Sequence, residues 1–148
     1  MTINELVRII KHIALDKMSG IKSFYVGNTW DMSQDKGNVY PNLWLEMPIL
    51  INYTIQNKLT KEFSFSIDIL DLPKLDDTLS EIDRISHCER LCDEFLFLLQ
   101  QDIECKKEFS LVDLPSGLSV KAINADNACG IRLDIKVNSQ RICLKDCK

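Results

Sequence analysis

Apolar and polar side chains alternate strictly along one short segment in the middle of the chain. The apolar set, which would share one face of a strand, is Phe63, Phe65, Ile67 and Ile69. The polar set between them is Ser64, Ser66 and Asp68. A period of two is typical of a strand with one dry and one wet face. The pattern therefore predicts a sheet that has one face against a core and the other in water.

Two segments have the spacing of amphipathic helices. The apolar stripe of the first, in residues 3–18, is Ile3, Leu6, Val7, Ile10, Ile13 and Ala14. Gly20 follows it as a candidate left-handed cap. The second segment runs from Thr78, which has capping-box spacing to Glu81, to about Gln101. Its last turns are apolar nearly all round, so we expect burial on more than one side, with Phe97 against another subunit.

The remaining alternating segments predict further strands. They are residues 21–26, 43–55, 109–112, 118–123 and 131–137. Pro48 cannot donate to a sheet ladder, so the strand that contains it should be bulged or at an edge there. Together the elements predict an α+β fold, with a mixed and mainly antiparallel sheet flanked by two helices, in the order α-β-β-β-α-β-β-β.

Length and composition predict one folded domain over residues 1–148. The 148 residues are 45% hydrophobic and 27% charged, which is typical of a globular chain with a real core. The formal charge of −4 and the scattered basic residues argue against sequence-specific nucleic-acid binding. The start of the chain does not resemble a signal peptide, and its apolar runs are too short to span a membrane. We therefore expect a soluble protein that is made in the cytoplasm.

Residues 27–42 predict an extended loop or arm, because they lack periodicity and are longer than an ordinary connection. Four aromatic or large apolar residues lie in or beside it: Trp30, Met32, Tyr40 and Trp44. Large aromatic side chains in a polar setting are typical of a contact with a partner. The alternative is that the segment folds back over its own sheet. At the other end of the chain, residues 138–148 predict a polar tail.

The six cysteines allow two interpretations. They are Cys88, Cys92, Cys105, Cys129, Cys143 and Cys147. In a reducing compartment, free thiols that pack as small apolar groups are the simpler interpretation. The alternative is a zinc-stabilised binding module that uses Cys88, Cys92, Cys143 and Cys147, since structural zinc sites take four thiolates. The first interpretation requires no metal or other cofactor.

The sequence contains no complete catalytic motif, so we expect a protein that is not an enzyme. The two histidines, His12 and His87, both lie on predicted helices. Two weaker possibilities are a Cys–His pair at Cys129 and an acidic site built from Asp68, Asp71, Asp76 and Asp77. The acidic residues are explained more simply by a wet strand face and by the start of a helix, where negative charge is favoured.

Two motifs in this element order resemble a known family. Residues 40–45 (Tyr-Pro-Asn-Leu-Trp-Leu) precede a predicted hairpin, and residues 63–71 (Phe-Ser-Phe-Ser-Ile-Asp-Ile-Leu-Asp) lead through Pro73 into the long helix. This arrangement, over residues 3–137, is similar to the tail-terminator and head–tail joining proteins of tailed bacteriophages. The six cysteines and the additional C-terminal strands depart from the family pattern.

The resemblance implies a structural virion protein. Such proteins form rings, commonly of six copies, at the neck or tail end, where they stop tail growth or join tail to head. DNA passes through the ring without sequence-specific contact, and an acidic protein suits this role because anionic surfaces repel phosphate. The implied partners are further copies of the chain and other neck or tail proteins. The arm at residues 27–42 and the strand from Leu43 would contact neighbouring copies.

Overall fold

The computed structural model describes residues 1–34, 37–55, 59–73, 78–106, 109–121 and 125–140. The helical elements are α1 (Ile3–His12), a π-helical turn (Ile13–Lys17), α2 (Thr29–Gln34) and α3 (Thr78–Lys106). The strands are β1 (Ser23–Asn28), β2 (Asn42–Met47), β3 (Leu50–Ile55), β4 (Leu59–Asp71), β5 (Phe109–Leu111), β6 (Ser116–Val120) and β7 (Cys129–Gln140). The predicted α+β class is confirmed, with α2 as an additional short helix.

The strands form one mixed sheet with the order β1-β2-β4-β7-β5. β1 and β2 run parallel, and the other pairs are antiparallel. Its centre is the long pair β4–β7, whose register runs from Thr60–Gln140 to Asp71–Cys129. On each side of this pair, two short strands share one position: β2 and β3 beside β4, and β5 and β6 beside β7.

The core lies between one face of the sheet and the helices α1 and α3. The four apolar residues of the alternating segment on β4 are all buried in it: Phe63, Phe65, Ile67 and Ile69. Leu6 and Ile10 of α1 and Phe95 and Leu99 of α3 pack in the same cluster. The dry face predicted from the period-two pattern is therefore confirmed. We call the opposite side of the sheet the outer face.

The first helix has a capped start, whereas the glycine that follows it is not the cap that the sequence predicted. Thr2 caps α1: its amide donates to Glu5 Oε2 at 2.6 Å, and the Glu5 amide donates to Thr2 Oγ1 at 3.3 Å. This exchange lowers the pKa of Glu5. Gly20 does not take the expected left-handed conformation. Instead, a Cβ at Gly20 would overlap the Leu91 side chain, so the glycine allows close packing against α3.

The long helix is longer than predicted, since it continues to Lys106. The side chain of Thr78, and with it the predicted capping box, lies outside the described residues. In the apolar turns, Phe95 and Leu99 are fully buried, whereas Phe97 is 64% exposed. Within the chain, α3 therefore buries only one side of this apolar segment.

The single strand predicted over residues 43–55 is two strands, β2 and β3. Pro48 lies between them, after a cis peptide bond with Met47. Proline has no amide hydrogen for the ladder, so β2 stops pairing with β4 before it and β3 starts after it. The expectation of a bulge or an edge at Pro48 was therefore correct in its position, although the interruption is complete.

Much of residues 27–42 is a regular helix or strand rather than the extended loop that the sequence predicted. β1 continues to Asn28, and α2 covers Thr29 to Gln34. α2 starts there because Asn28 and Asp31 exchange hydrogen bonds between side chain and backbone. The Asp31 amide donates to Asn28 Oδ1 at 2.8 Å, and the Asn28 amide donates to Asp31 Oδ2 at 3.1 Å. Of the predicted tail, residues 138–140 belong to β7, and residues 141–148 lie outside the described residues.

Gly130 allows β7 to approach β4 closely. A Cβ at this position would overlap the carbonyl oxygen of Ile69 and would lie 2.9 Å from its carbonyl carbon. These are backbone atoms of the neighbouring strand, which cannot move aside as a flexible side chain can. The central pair therefore requires glycine at this position.

Candidate functional site

The outer face of the central strand pair is polar. Three cross-strand pairs follow one another along it: Ser64–Lys136, Ser66–Asp134 and Asp68–Arg132. This confirms the polar face that the alternating pattern predicted, although Asp68, which was expected in water, is fully buried. The pattern could not predict which polar residue faces which, because that depends on the register between β4 and β7.

A groove of about 470 Å³ lies over this polar face. It forms because both flanking positions are interrupted at the same level of the sheet. On one side β2 and β3 separate at Pro48, and on the other β5 and β6 are joined through Asp113 and Leu114. Thr29, at the start of α2, adds a further wall. We call this feature the outer groove.

One arginine holds two carboxylates at the end of the groove. Arg132 Nε donates to Asp68 Oδ1 at 3.1 Å, and Arg132 Nη2 donates to Glu46 Oε1. The Asp68 side chain is fully buried, and among the described residues no group donates a hydrogen bond to its Oδ2. We call these three residues the carboxylate–arginine cluster. It joins three adjacent strands, since Glu46 is on β2, Asp68 on β4 and Arg132 on β7.

The cluster shifts the protonation equilibria of Asp68 and Arg132. Burial, hydrogen bonding with Glu46 and the charge of Glu46 raise the pKa of Asp68 to about 7, against the opposing effect of Arg132. Burial by itself would lower the pKa of Arg132, but the two carboxylates raise it overall. Arg132 therefore stays charged, while Asp68 holds a proton far more readily than an ordinary aspartate.

The chemistry offered by the groove itself is that of hydroxyls and carboxylates. Ser66 Oγ donates to Asp134 Oδ1, and Lys136 Nζ forms an ion pair with Asp113 at 3.1 Å. Glu46 lines the groove, whereas Asp68 does not. Among the described residues that line it there is no histidine or cysteine.

Three of the residues predicted to contact a partner are buried within the chain itself. Met32, Tyr40 and Trp44 form a second apolar cluster on the outer face, with Leu70 and Ala128. The segment folds back over its own sheet, which is the alternative that the sequence left open. As a result the first four residues of β2 are buried, and Trp44 on its outer side packs against Met32 and Tyr40.

Several contacts hold the folded-back segment against the sheet. Tyr25 stacks on Trp44 with ring centroids 5.4 Å apart, and Trp44 Nε1 donates to the carbonyl of Gly27 at 3.3 Å. Asp126 accepts hydrogen bonds from the Gly37 amide and from Tyr40 Oη. Gly37 has a φ of 70°, which a residue with a side chain rarely adopts.

The other two predicted contact residues are exposed. Trp30 on α2 is 70% exposed, and Phe97 on α3 is 64% exposed. They lie on different helices rather than in one patch with Met32, Tyr40 and Trp44. Only these two of the five therefore remain on the surface for a partner.

The described cysteines behave as packed thiols, apart from Cys105, which is exposed. Burial is the largest cause that raises the pKa of Cys92 to about 12 and that of Cys129 to about 11, and it raises the pKa of Cys88 further. Metal ligation needs the thiolate, which this environment disfavours. Among the described residues, no group of three or more potential ligands could hold a metal ion. Cys143 and Cys147 lie outside the described residues.

The predicted acidic cluster is not assembled by the described residues. Asp68 belongs to the carboxylate–arginine cluster, whereas Asp71 pairs with Arg84 of α3 at 3.4 Å. Asp76 and Asp77 lie outside the described residues. His12 pairs with Asp16 at 2.7 Å on the surface of the first helical segment. Sequence reasoning missed Glu46 and Arg132, which are partners of Asp68 only because of strand register.

No protein-family model matches the chain, and no curated protein matches it in sequence. Within the described parts of the chain, none of the helices has the length and apolar character needed to cross a membrane.

Proposed function

We propose that the chain is a structural subunit that assembles with further copies of itself into a ring. By its resemblance to tail-terminator and head–tail joining proteins, the ring would lie at the neck or tail end of a tailed bacteriophage. The observation that carries the proposal is the pair of uncharged strands, β3 and β6, on opposite sides of the open sheet.

β3 forms the edge of the sheet beside β4. Among the described strands, β4 is its only partner. Its residues are Leu-Ile-Asn-Tyr-Thr-Ile, without a charged residue or a proline. Leu50, Tyr53 and Ile55 are 59%, 60% and 80% exposed. Soluble proteins commonly protect edge strands with charge or proline, so an uncharged apolar edge is suited to accept another strand.

β6 forms the edge on the other side, beside β7. Its residues are Ser-Gly-Leu-Ser-Val, again without charge, and Leu118 is 64% exposed. Leu114, just before the strand, is 95% exposed. Within the described part of the sheet, β6 pairs with β7 alone.

Two different edges support a ring rather than a symmetric pair. β3 of one copy would pair with β6 of the next, which joins two different surfaces of the same chain. Repeated contacts of this kind close into a ring when the rotation between copies divides a full turn. The strands match in length, with six residues in β3 and five in β6. Trp30 and Phe97, which are exposed on α2 and α3, would add apolar contacts between copies.

The charge of α3 is compatible with a ring that DNA passes through. Seven residues of α3 are aspartate or glutamate, and three are lysine or arginine. Asp83, Glu89, Asp93 and Glu104 are exposed. If α3 lines the lumen, its acidic residues repel the phosphates, and DNA can slide without being held.

The edge contact is tested by placing a lysine on each strand separately, in Ile55→Lys and Leu118→Lys. Both side chains are exposed, so the folded subunit should keep its stability, whereas an assembly built on these edges should dissociate. The matched control is Ile82→Lys, since Ile82 is an apolar residue on α3 that is also more than half exposed. Sedimentation velocity measures the assembly. Equal effects of all three variants, or an effect of Ile82→Lys alone, would contradict the proposed edges.

The phage assignment has a separate test. In particles of a phage that encodes the chain, immunogold labelling should mark the neck or the tail end. Absence of the chain from purified particles would contradict the assignment and leave self-assembly to be judged by the edge variants. The zinc-module alternative gains no supporting observation from the described residues.

A further inference from the structure

The carboxylate–arginine cluster lies where β2 leaves the sheet. β2 pairs with β4 at four positions, and the last of these is Leu45–Ile67. Glu46 is the next residue, and Met47 and Pro48 then lead away to β3. The contacts of Glu46 with its neighbours therefore hold the end of β2 against the central pair, and they hold β1 as well because β1 pairs with β2.

The charges of the cluster do not balance. Arg132 supplies one positive charge, whereas Glu46 and Asp68 can supply two negative charges. The side chain of Asp68 is fully buried and that of Glu46 is 16% exposed, so water can do little to stabilise the excess charge. Asp68 Oδ1 already accepts from Arg132, and Oδ2 has no donor among the described residues. A proton on Oδ2 would remove the excess charge and provide a donor toward Glu46.

We propose that Asp68 keeps a proton on Oδ2, directed toward Glu46, and that this proton makes the contact between β2 and β4 sensitive to pH; we call this contact the lock. With the proton in place, the cluster is neutral and connects β2, β4 and β7. Without it, two carboxylates repel each other at the point where β2 separates from β4. This inference does not depend on self-association.

The groups around Asp68 from each neighbouring element fit this interpretation. β2 contributes Glu46, and β7 contributes Arg132. From α3, on the other side of the sheet, the thiol of Cys92 interacts with Asp68, whose charge is one of the causes that raise the pKa of that thiol. The charged residue of α2, Asp31, accepts from the Asn28 amide instead. Arg132 is thus the only cation among the described groups that act on Asp68.

The sign of the pH dependence follows from the raised pKa. In the unfolded chain Asp68 loses its proton near its ordinary value of about 4, whereas in the folded chain it does so near 7. The folded state therefore holds one more proton between these values. The contribution of the lock to the free energy of unfolding is therefore complete below about pH 4, falls as the pH rises, and is lost above about pH 7.

The experiment compares the wild-type chain with Asp68→Asn, which keeps the shape of the protonated acid but cannot titrate. Urea unfolding is measured from about pH 5 to about pH 8. Relative to the variant, the wild-type unfolding constant should rise about ten-fold per pH unit up to about pH 6.5 and then level off. Parallel pH profiles for the two proteins, or a rise in relative wild-type stability with pH, would overturn the proposal.

Two further measurements locate the effect. Asp134→Asn, on the same face of the sheet, is the control and should keep the wild-type pH profile. Hydrogen exchange, corrected for intrinsic rates, should show that β2 amides lose protection before the β7 amides as the pH rises. If Asp68→Asn does not fold, the carboxyl carbon resonances of the wild-type chain decide: a midpoint near neutral pH for Asp68 supports the lock, and a midpoint below about 5 overturns it.

Discussion

The side chain of Arg132 on β7 donates a hydrogen bond to Glu46 on β2, although β4 lies between the two strands. It also binds Asp68 on the intervening strand. A single guanidinium therefore connects three strands at the end of the outer groove. This contact distinguishes the outer face from an ordinary solvated sheet surface.

Replacing Arg132 by methionine should strongly destabilise the protein. The change leaves the buried carboxyl of Asp68 beside Glu46 without a cation, and breaking a buried pair in this way costs on the order of 3 kcal/mol. Urea unfolding at about pH 8 measures the loss. The control is Lys136→Met, whose exposed pair with Asp113 contributes less than about 1 kcal/mol. Equal effects of the two variants would show that the cluster has no special role.

Gly130→Ala should prevent the normal pairing of β4 and β7. The new methyl group would overlap the Ile69 backbone, so we expect a loss of more than about 3 kcal/mol or failure to fold. Gly117→Ala on β6 is the control, because the one tight contact of its Cβ would be with the Leu133 side chain at 3.3 Å, and its contacts with Ile131 and Arg132 would be ordinary ones at 3.7 Å or more. Thermal unfolding of both variants tests this. A Gly130→Ala protein as stable as Gly117→Ala would show that the backbone approach is looser than described.

Replacing two phenylalanines in the apolar part of α3 should change the stability of the subunit by very different amounts. Phe95→Ala removes a fully buried ring and should cost about 3–5 kcal/mol. Phe97→Ala, two residues later, removes an exposed ring and should change the stability of the subunit by less than about 0.5 kcal/mol. Urea unfolding measures both values. A large loss of subunit stability for Phe97→Ala would contradict its placement on the surface.

The thiols should differ in their reactivity in the folded protein. Cys105 is exposed and should be alkylated quickly, whereas Cys88, Cys92 and Cys129 are buried and should react only after unfolding. Burial also raises the pKa of each of these three thiols, which reduces the reactive thiolate further. Peptide mapping after brief alkylation tests the order. Rapid labelling of Cys88 in the folded state would contradict the packing between α3 and β7.

The sequence predicted most of the fold because periodicity is a local property. The alternation at residues 63–69 and the stripe at residues 3–18 both correspond to observed elements, with ends displaced by a few residues. The two errors of organisation have local causes. Pro48 splits one predicted strand into two, and the exchange of hydrogen bonds between Asn28 and Asp31 starts a helix inside the predicted arm.

The candidate site could not be predicted to the same extent, because it depends on contacts between distant residues. Asp68 was recognised as a wet-face residue, but its neighbours Glu46 and Arg132 come from strands whose register the sequence does not reveal. The aromatic residues show the same limit. Trp44 was expected to contact a partner, and whether the chain itself or a partner covers it depended on where residues 37–41 pack.

The central claim is that copies of the chain join through the edges β3 and β6. Cryo-electron microscopy of the purified full-length protein at high concentration tests it most directly. We predict closed rings in which β3 of each copy lies against β6 of the next and the sheet continues between them. Particles that remain single subunits, or rings whose contacts use other surfaces, would contradict the claim.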